Sequence, residues 1–333
     1  MINLKTSNGA VSFSIDPQGQ KVSASFQDPS KSLAVACAGD LGGVDGEILA
    51  YLRDVDQTMT RGGQVDPNSL GNHHLQRLPG RMGLAMYYLG PRLKQVAEWL
   101  VGSRETTNFT YDLTERNLNY LAHFVTAVTG VSPTTALGYL QEPAADAALT
   151  HYLRTANQSG VHRIVSDDQP RFGRRLGWYA IVRAKKPAIV IETGVDKGLG
   201  SVLLCAAVRR NVAEGHPGVY YGTDINPAAG FLLGGEYARY GQILYGDSIE
   251  TLTRFDKPID VFINDSDHSA EYEWREYLVV RSKLAEGAVV LGDNSHSTDA
   301  LMRFAALSDR RFLFFREEPR DHWYPGAGIG AAF

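Results

Sequence analysis

The sequence predicts an α/β fold: an open, mostly parallel sheet with helices on both faces and an antiparallel strand pair at its edge. A mainly helical N-terminal region carrying a β-hairpin precedes it. Three observations carry this prediction. Beyond residue 174, short β-branched runs alternate with amphipathic stretches of helical length. Five of those runs end in polar or acidic residues. The last two apolar runs, 311–316 and 328–333, have no helical stretch between them, so they must pair antiparallel.

Taken in order, the chain opens on a β-hairpin. Val11, Phe13 and Ile15 alternate with polar residues, as do Val22, Ala24 and Phe26, and Asp16-Pro17-Gln18-Gly19 supplies the turn. Ile48, Leu49, Leu52 and Val55 fall on one face of a helix over 46–58, and the Gly-, Asn-, Gln- and His-rich stretch 60–80 reads as a long loop. Pro91 opens a helix to about Val101. A capping-box-like start at Asp112 to Glu115 begins a longer helix that ends near Gly130 and buries Leu118, Leu121, Phe124, Val125 and Val128. Ser132-Pro133 and Glu142-Pro143 start two short helices. Residues 1–160 are therefore expected to form a cap or a dimerisation region, and 161–333 a ligand-binding catalytic domain. Asn108, Phe109 and Tyr111 are read first as core packing, with a contribution to the substrate pocket as the alternative.

The second half is organised around Ala188 to Ser201, AIVIETGVDKGLGS. A buried strand ends at Glu192, and Gly194, Gly198 and Gly200 let the backbone turn tightly and approach a ligand. A helix with an apolar face follows from Ser201. The second strand, Val219 to Asp224, ends in an acid suited to accept ribose hydroxyls. Strands at 243–245, 259–263 and 288–291 lead into Gly246-Asp247-Ser248, Asp265-Ser266-Asp267-His268 and Gly292-Asp293-Asn294. The carboxyl edge of an open α/β sheet is where ligands bind, and a merely structural sheet has no need of acids at every strand end.

Composition narrows the class. At 44% hydrophobic and 21% charged the chain is globular, and no apolar run approaches the roughly 18 residues of a membrane span. A net charge of −4 argues against a general nucleic-acid binder, and the basic cluster Arg171, Arg174, Arg175 is too local to change that. Cys37 and Cys205 read as packed thiols of a reducing compartment. MINLKTSNGA lacks a signal-peptide pattern, so a cytoplasmic location is expected. The adjacent His73-His74 have no other ligand set nearby in sequence.

The segment from about 174 to 333 resembles the class I S-adenosylmethionine-dependent methyltransferases. These have a Rossmann-like seven-stranded sheet with an antiparallel C-terminal hairpin. ETGVDKGLGS resembles their first motif, although the glycines are not spaced as GxGxG. DSDH followed by GDN resembles the metal-dependent O-methyltransferases of macrolide sugars and the cephalosporin hydroxylase-like family, where IDGDH is common. The resemblance implies S-adenosyl-L-methionine as cofactor. Glu192, Thr193, Gly194, Gly200 and Ser201 would surround its methionine part, Asp224 its ribose, and Asp247 with Ser248 its adenine, with Asp265 completing the set. It further implies a magnesium or other divalent ion on Asp265, Asp293 and Asn294, hard oxygen donors from adjacent strand ends.

His268 is the candidate general base, since an imidazole titrates near neutrality. Asp267 is the rival base or the group that orients the ring, and His296 reads as a residue that supports the site without touching the ligand, or one that starts a helix. The expected reaction is methyl transfer to a hydroxyl of a small, polyoxygenated natural-product intermediate, such as a sugar in antibiotic biosynthesis. The expected partners are that small molecule and a second copy of the chain, with no nucleic acid and no membrane. Three alternatives stay open: a methyltransferase acting on nitrogen or carbon, a nicotinamide-dependent oxidoreductase, and a binding protein that lost catalysis.

Overall fold

The computed structural model describes residues 2–6, 9–15, 21–28, 33–40, 70–159 and 163–333, with side chains from 84 onward except 86 and 160–162. The chain divides into two compact units, one of residues 1–103 with 321–323 and one of 104–320 with 324–333. The expected boundary at 160 thus falls inside the second unit.

The first unit holds a four-stranded antiparallel sheet of β1 (Ile2–Thr6), β2 (Gly9–Ile15), β3 (Lys21–Asp28) and β4 (Leu33–Asp40) in sequential order. The expected hairpin is its centre: Val11 pairs with Phe26, Phe13 with Ala24 and Ile15 with Val22, so the two alternating sets meet across the ladder. Its turn and the helix expected over 46–58 lie outside the described residues. Helix α1 (Leu70–Gly102) corrects two expectations. Residues 70–80 are helical rather than loop, and Pro91 lies within the helix rather than at its start. Leu75, Leu78 and Met82 recur at helical spacing, a signal that the polar composition of the stretch obscured. Near its end Trp99 packs on His322 and Trp323, with ring centroids 5.8 and 5.3 Å away.

Three helices open the second unit: α2 (Glu115–Thr129), α3 (Pro133–Ala145) and α4 (Ala147–Asn157). Thr114, not Asp112, caps α2, accepting from the Asn117 amide, and Gly130 closes it in the left-handed conformation. Leu121, Phe124, Val125 and Val128 are buried as expected, while Leu118 is only partly covered. Ser132 caps α3 as expected, but Pro143 ends up inside α3 and Asp146 caps α4.

Alternation of strand and helix then builds a seven-stranded sheet. Its strands are β5 (Ile189–Thr193), β6 (Val219–Asp224), β7 (Gly241–Tyr245), β8 (Ile259–Asn264), β9 (Leu284–Gly292), β10 (Phe312–Arg316) and β11 (Gly328–Ala332). They lie in the order β10-β11-β9-β8-β5-β6-β7, parallel except that β11 runs antiparallel to both β9 and β10. The expected edge hairpin is present.

Side chains alternate between two cores. Val190, Val261, Ile263, Val289 and Leu291 join Trp178 of α5 (Arg175–Lys185) and Leu203 of α6 (Leu199–Ala213) on one face. Ile191, Phe262 and Val290 join Tyr277 of α8 (Ala270–Arg281) and Phe304 of α9 (Ala300–Leu307) on the other. The short α7 (Ser248–Arg254) follows β7. Both faces of the central strands are covered, which explains their nearly uniform apolar runs.

Candidate active site

Strand register brings the expected residues together. Thr193 of β5 pairs with Thr223 of β6 and with Asn264 of β8, and Asn264 pairs with Gly292 of β9. Four residues thus lie level across the sheet edge, and the residue after each is Gly194, Asp224, Asp265 or Asp293, with Asp224 the last of β6. Backbone bonds fasten this edge: the amides of Gly194, Asp265 and Asp293 donate to the carbonyls of Thr223, Thr193 and Asn264, each at 2.9 Å. Above the edge lies a cavity of about 760 Å³. It is lined among others by Gly194, Asp224, Asp247, Ser248, Asp265, Asp267, His268 and Asp293.

The glycine turn is held from β6. Both the Val195 and Asp196 amides donate to Asp224 Oδ2 at 3.1 Å, and the Asn226 amide donates to Oδ1 at 2.8 Å. Of a carboxylate's roughly four acceptor positions, one remains on Oδ1 for a ligand hydroxyl. Gly194 has φ +77°, and a Cβ there would run into the Asp265 backbone. Only glycine lets the ends of β5 and β8 come this close. At the far side Asp247 caps α7, taking the Glu250 amide at 3.0 Å and the Tyr272 hydroxyl at 2.9 Å. The Glu250 amide foremost holds the Asp247 carboxyl below its ordinary pKa, so it is an ionised acceptor.

Part of the expected cofactor set lies beneath the cavity instead. Glu192, Thr193 and Ser201 are buried and do not line it. Glu192 shares the strand face of Val190, which is covered by α6, because side chains repeat every second residue. There Tyr220 donates to Glu192, the Tyr220 and Ser201 hydroxyls lie 2.8 Å apart, and Gly200 leaves room for the carboxylate. Burial pushes the Glu192 pKa up to about 7. The contact of Glu192, Gly200 and Ser201 is thus with one another, under the turn that faces the cavity.

Asp265 and Asp293 meet as expected, but a guanidinium stands where the ion was expected. Arg174, just before α5, donates through Nε to Asp293 Oδ1 and through an Nη to Oδ2 at 2.7 Å. Its other Nη reaches the Tyr111 hydroxyl at 2.7 Å and Glu317 at 3.3 Å, and Tyr111 donates to Glu317 at 2.8 Å. The Arg174 and Asp293 side chains are only 8% and 2% exposed. Burial pushes the Asp293 carboxyl up, but the guanidinium across both its oxygens outweighs this and holds it below the ordinary value. Burial and the Asp293 charge push the Asp265 carboxyl well above its ordinary range.

Asn294 is fully buried, does not line the cavity, and has neither amide atom hydrogen-bonded. Among the described residues no cluster of three His, Cys, Asp or Glu side chains is placed to hold a metal. Asp265, Asp293 and Asn294 therefore do not fit a divalent ion as they stand: Asp293 already has a buried guanidinium on both oxygens, and Asn294 does not line the cavity.

Two histidines line the cavity. His268 is exposed, and its ring makes no hydrogen bond among the described residues. Asp267 makes no hydrogen bond to that ring; its carboxylate accepts the Ser269 amide at 2.7 Å and is held below its ordinary pKa chiefly by that bond. His296 instead lies with Nδ1 3.2 Å from the Asp293 carbonyl. Donation there leaves Nε2 as the free acceptor.

Three contributors were missed in the sequence. Arg174 read only as part of a local basic cluster. Tyr111 read as core packing and is 1% exposed, yet it bonds the Arg174 guanidinium. Glu276 of α8, fully buried, carries hydrogen bonds from residues at three strand ends. Of the tentative pocket residues, Asn108 does line the cavity, while Phe109 is buried against Lys197, whose ammonium sits 4.1 Å from its ring centroid.

Residues 191–295 match the family model described as a methyltransferase domain. The match runs from within β5 to just past β9 and so contains all four of the level edge residues. Among solved structures, the chain is similar to the SAH-bound methyltransferase PaMTH1 of Podospora anserina, at 13% identity over 66% of this chain and 95% of that one, TM-score 0.38. It is also similar to the O-methyltransferase TomG from Streptomyces achromogenes, involved in tomaymycin synthesis, at 15% identity over 59% and 94%, TM-score 0.41. The cofactor-bound Rv0187 from MTB is similar at 16% identity over 64% and 94%, TM-score 0.37. No curated protein matches the sequence.

Proposed function

We propose that the chain transfers a methyl group from S-adenosylmethionine to a hydroxyl of a small, polyoxygenated acceptor, a reading supported by the match of residues 191–295 to a methyltransferase domain. The observation that carries this is the sheet edge, where Gly194, Asp224, Asp265 and Asp293 emerge side by side around one cavity. About 760 Å³ is within the range of small-molecule sites. The turn at Gly194 offers close backbone approach. Asp224 has one acceptor position left for a ribose hydroxyl, and ionised Asp247 can take an exocyclic amine. The cofactor supplies the electrophilic methyl group.

The chain's own part is to orient the acceptor and take its proton. His268 and His296 are the two imidazoles on the cavity wall. His268 keeps the role its sequence position suggested, and His296 is the second reading, favoured by the Nδ1 contact that frees Nε2. Oxygen is the favoured acceptor atom because Asp265, Asp293 and the Arg174 guanidinium offer hydroxyl-bonding groups next to those bases. Arg174, rather than a divalent ion, provides the positive charge at Asp293. A natural-product acceptor such as a sugar suits the polar lining.

A panel of polyol, phenol and sugar acceptors incubated with methyl-labelled S-adenosylmethionine tests the reaction. Label in an ether product, undiminished by chelator, is expected. Label only on nitrogen or carbon, or activity restored to chelated protein by magnesium alone, would overturn this form of it.

A further inference from the structure

The buried helix face beneath the cavity carries two carboxylates three residues apart, Glu273 and Glu276, both 0% exposed. Such a face ordinarily packs apolar side chains, and burying a carboxylate is costly unless its acceptors are filled. Here they are. Glu276 Oε1 accepts from Ser248 Oγ. Its Oε2 accepts from Asn264 Nδ2, from Ser266 Oγ at 2.8 Å and from Thr193 Oγ1 at 3.2 Å. The four donors come from the ends of β5 and β8 and from the loops after β7 and β8. Ser248 and Ser266 line the cavity themselves. Ser248 Oγ also lies 2.9 Å from the Tyr272 hydroxyl, which donates to Asp247 at 2.9 Å. Next to it, Glu273 accepts from Tyr277 at 2.7 Å and from Thr298, in the segment after β9.

We infer that Glu276 is a positioning residue of the cofactor site: one buried carboxylate that ties the loops after β7 and β8 to the end of β5 and so sets the cavity floor against which the adenosyl group lies. This rests on the S-adenosylmethionine reading. Glu276 is fully buried and does not line the cavity, so it touches no ligand and acts only through Ser248, Ser266, Thr193 and Asn264. No cation is paired with it among the described residues, so nothing but those donors compensates its burial. Burial accordingly raises its pKa to about 7.

Glu276→Gln keeps the volume but puts an amide donor among four donors. S-adenosylhomocysteine binding, measured by calorimetry, should weaken at least tenfold while the melting temperature stays within a few degrees. The double variant with Ser248→Ala should lose much less than the product of the single losses, because both act through one bond. Unchanged affinity, or losses that multiply, would overturn the assignment. Ser266→Ala, which removes a single hydroxyl, needs no ligand. Hydrogen exchange should quicken at 264–268 and also across the carboxylate at 246–249, and quickening confined to 264–268 would count against Glu276. Wild-type protein that fails to bind S-adenosylhomocysteine would sink the cofactor reading, while the exchange result would still decide whether Glu276 couples the loops.

Discussion

Arg174→Met removes the guanidinium from Asp293 while keeping most of the apolar stem. The loss is larger than that of a surface ion pair, because the partners are 8% and 2% exposed and water cannot replace the missing donors. Removing one partner of a buried pair costs about 3–5 kcal/mol. For a unit of this size, about 2–4 °C per kcal/mol makes that a fall in melting temperature of roughly 6–20 °C. The Tyr111 hydroxyl and Glu317 lose a donor in the same step.

Differential scanning fluorimetry of both proteins at pH 7 and pH 3 is the assay. Asp293 has a lowered folded-state pKa, so its contribution is present above the unfolded value and fades as pH falls. The gap between variant and wild type should therefore narrow on acidification. With the guanidinium gone, Asp293 and Asp265 face each other unscreened, and magnesium should raise the melting temperature of the variant but not of the wild type. A variant melting within about 1 °C of wild type would refute the assigned role of Arg174, on the scale of a pair worth under 1 kcal/mol. Magnesium stabilisation of the wild type would refute it as well.

Gly194→Ala should destabilise by at least the roughly 1–3 kcal/mol of a strained left-handed residue, with a further cost from the clash against Asp265, read by urea denaturation. Glu192 has its pKa raised from 4.5 to about 7, so its stability contribution is full below 4.5 and is lost as pH rises through 7. Wild-type stability should fall by about 3 kcal/mol over that window relative to Glu192→Gln, and parallel pH curves for the two proteins would contradict this. Removal of a general base should cost about 10²–10⁴ in turnover. If His268→Ala keeps near-wild-type turnover and His296→Ala does not, the base is His296, and if both keep it neither imidazole takes the proton.

What could be seen in the sequence, and what could not, divides by the range of the interactions. The second-unit strands were readable because buried parallel strands are runs such as Ile189 to Ile191, and an acid directly after the run marks its exposed end. The site residues contributed by Asp224, Asp265 and Asp293 followed from that rule alone. Arg174 did not, because its partner Asp293 is 119 positions away and nothing local distinguishes it from its neighbour Arg175. Glu276 sits in AEYEWREYLVVR, where charged residues recur all along the helix and no local spacing marks Glu273 and Glu276 as the ones turned inward. Glu192 was read as meeting the ligand although the two-residue alternation sends it, with Val190, under α6. In α1 the glycines, amides and prolines hid a helical repeat of leucine and methionine.

Calorimetric titration of S-adenosylhomocysteine into the wild-type protein and into Asp224→Ala tests the cavity most directly. We predict saturable one-to-one binding to the wild type, abolished in the variant, with NAD producing no heat in either. Silence toward S-adenosylhomocysteine, or equal binding by both proteins, would contradict the assignment of the adenosyl group to the carboxyl edge of β5 and β6.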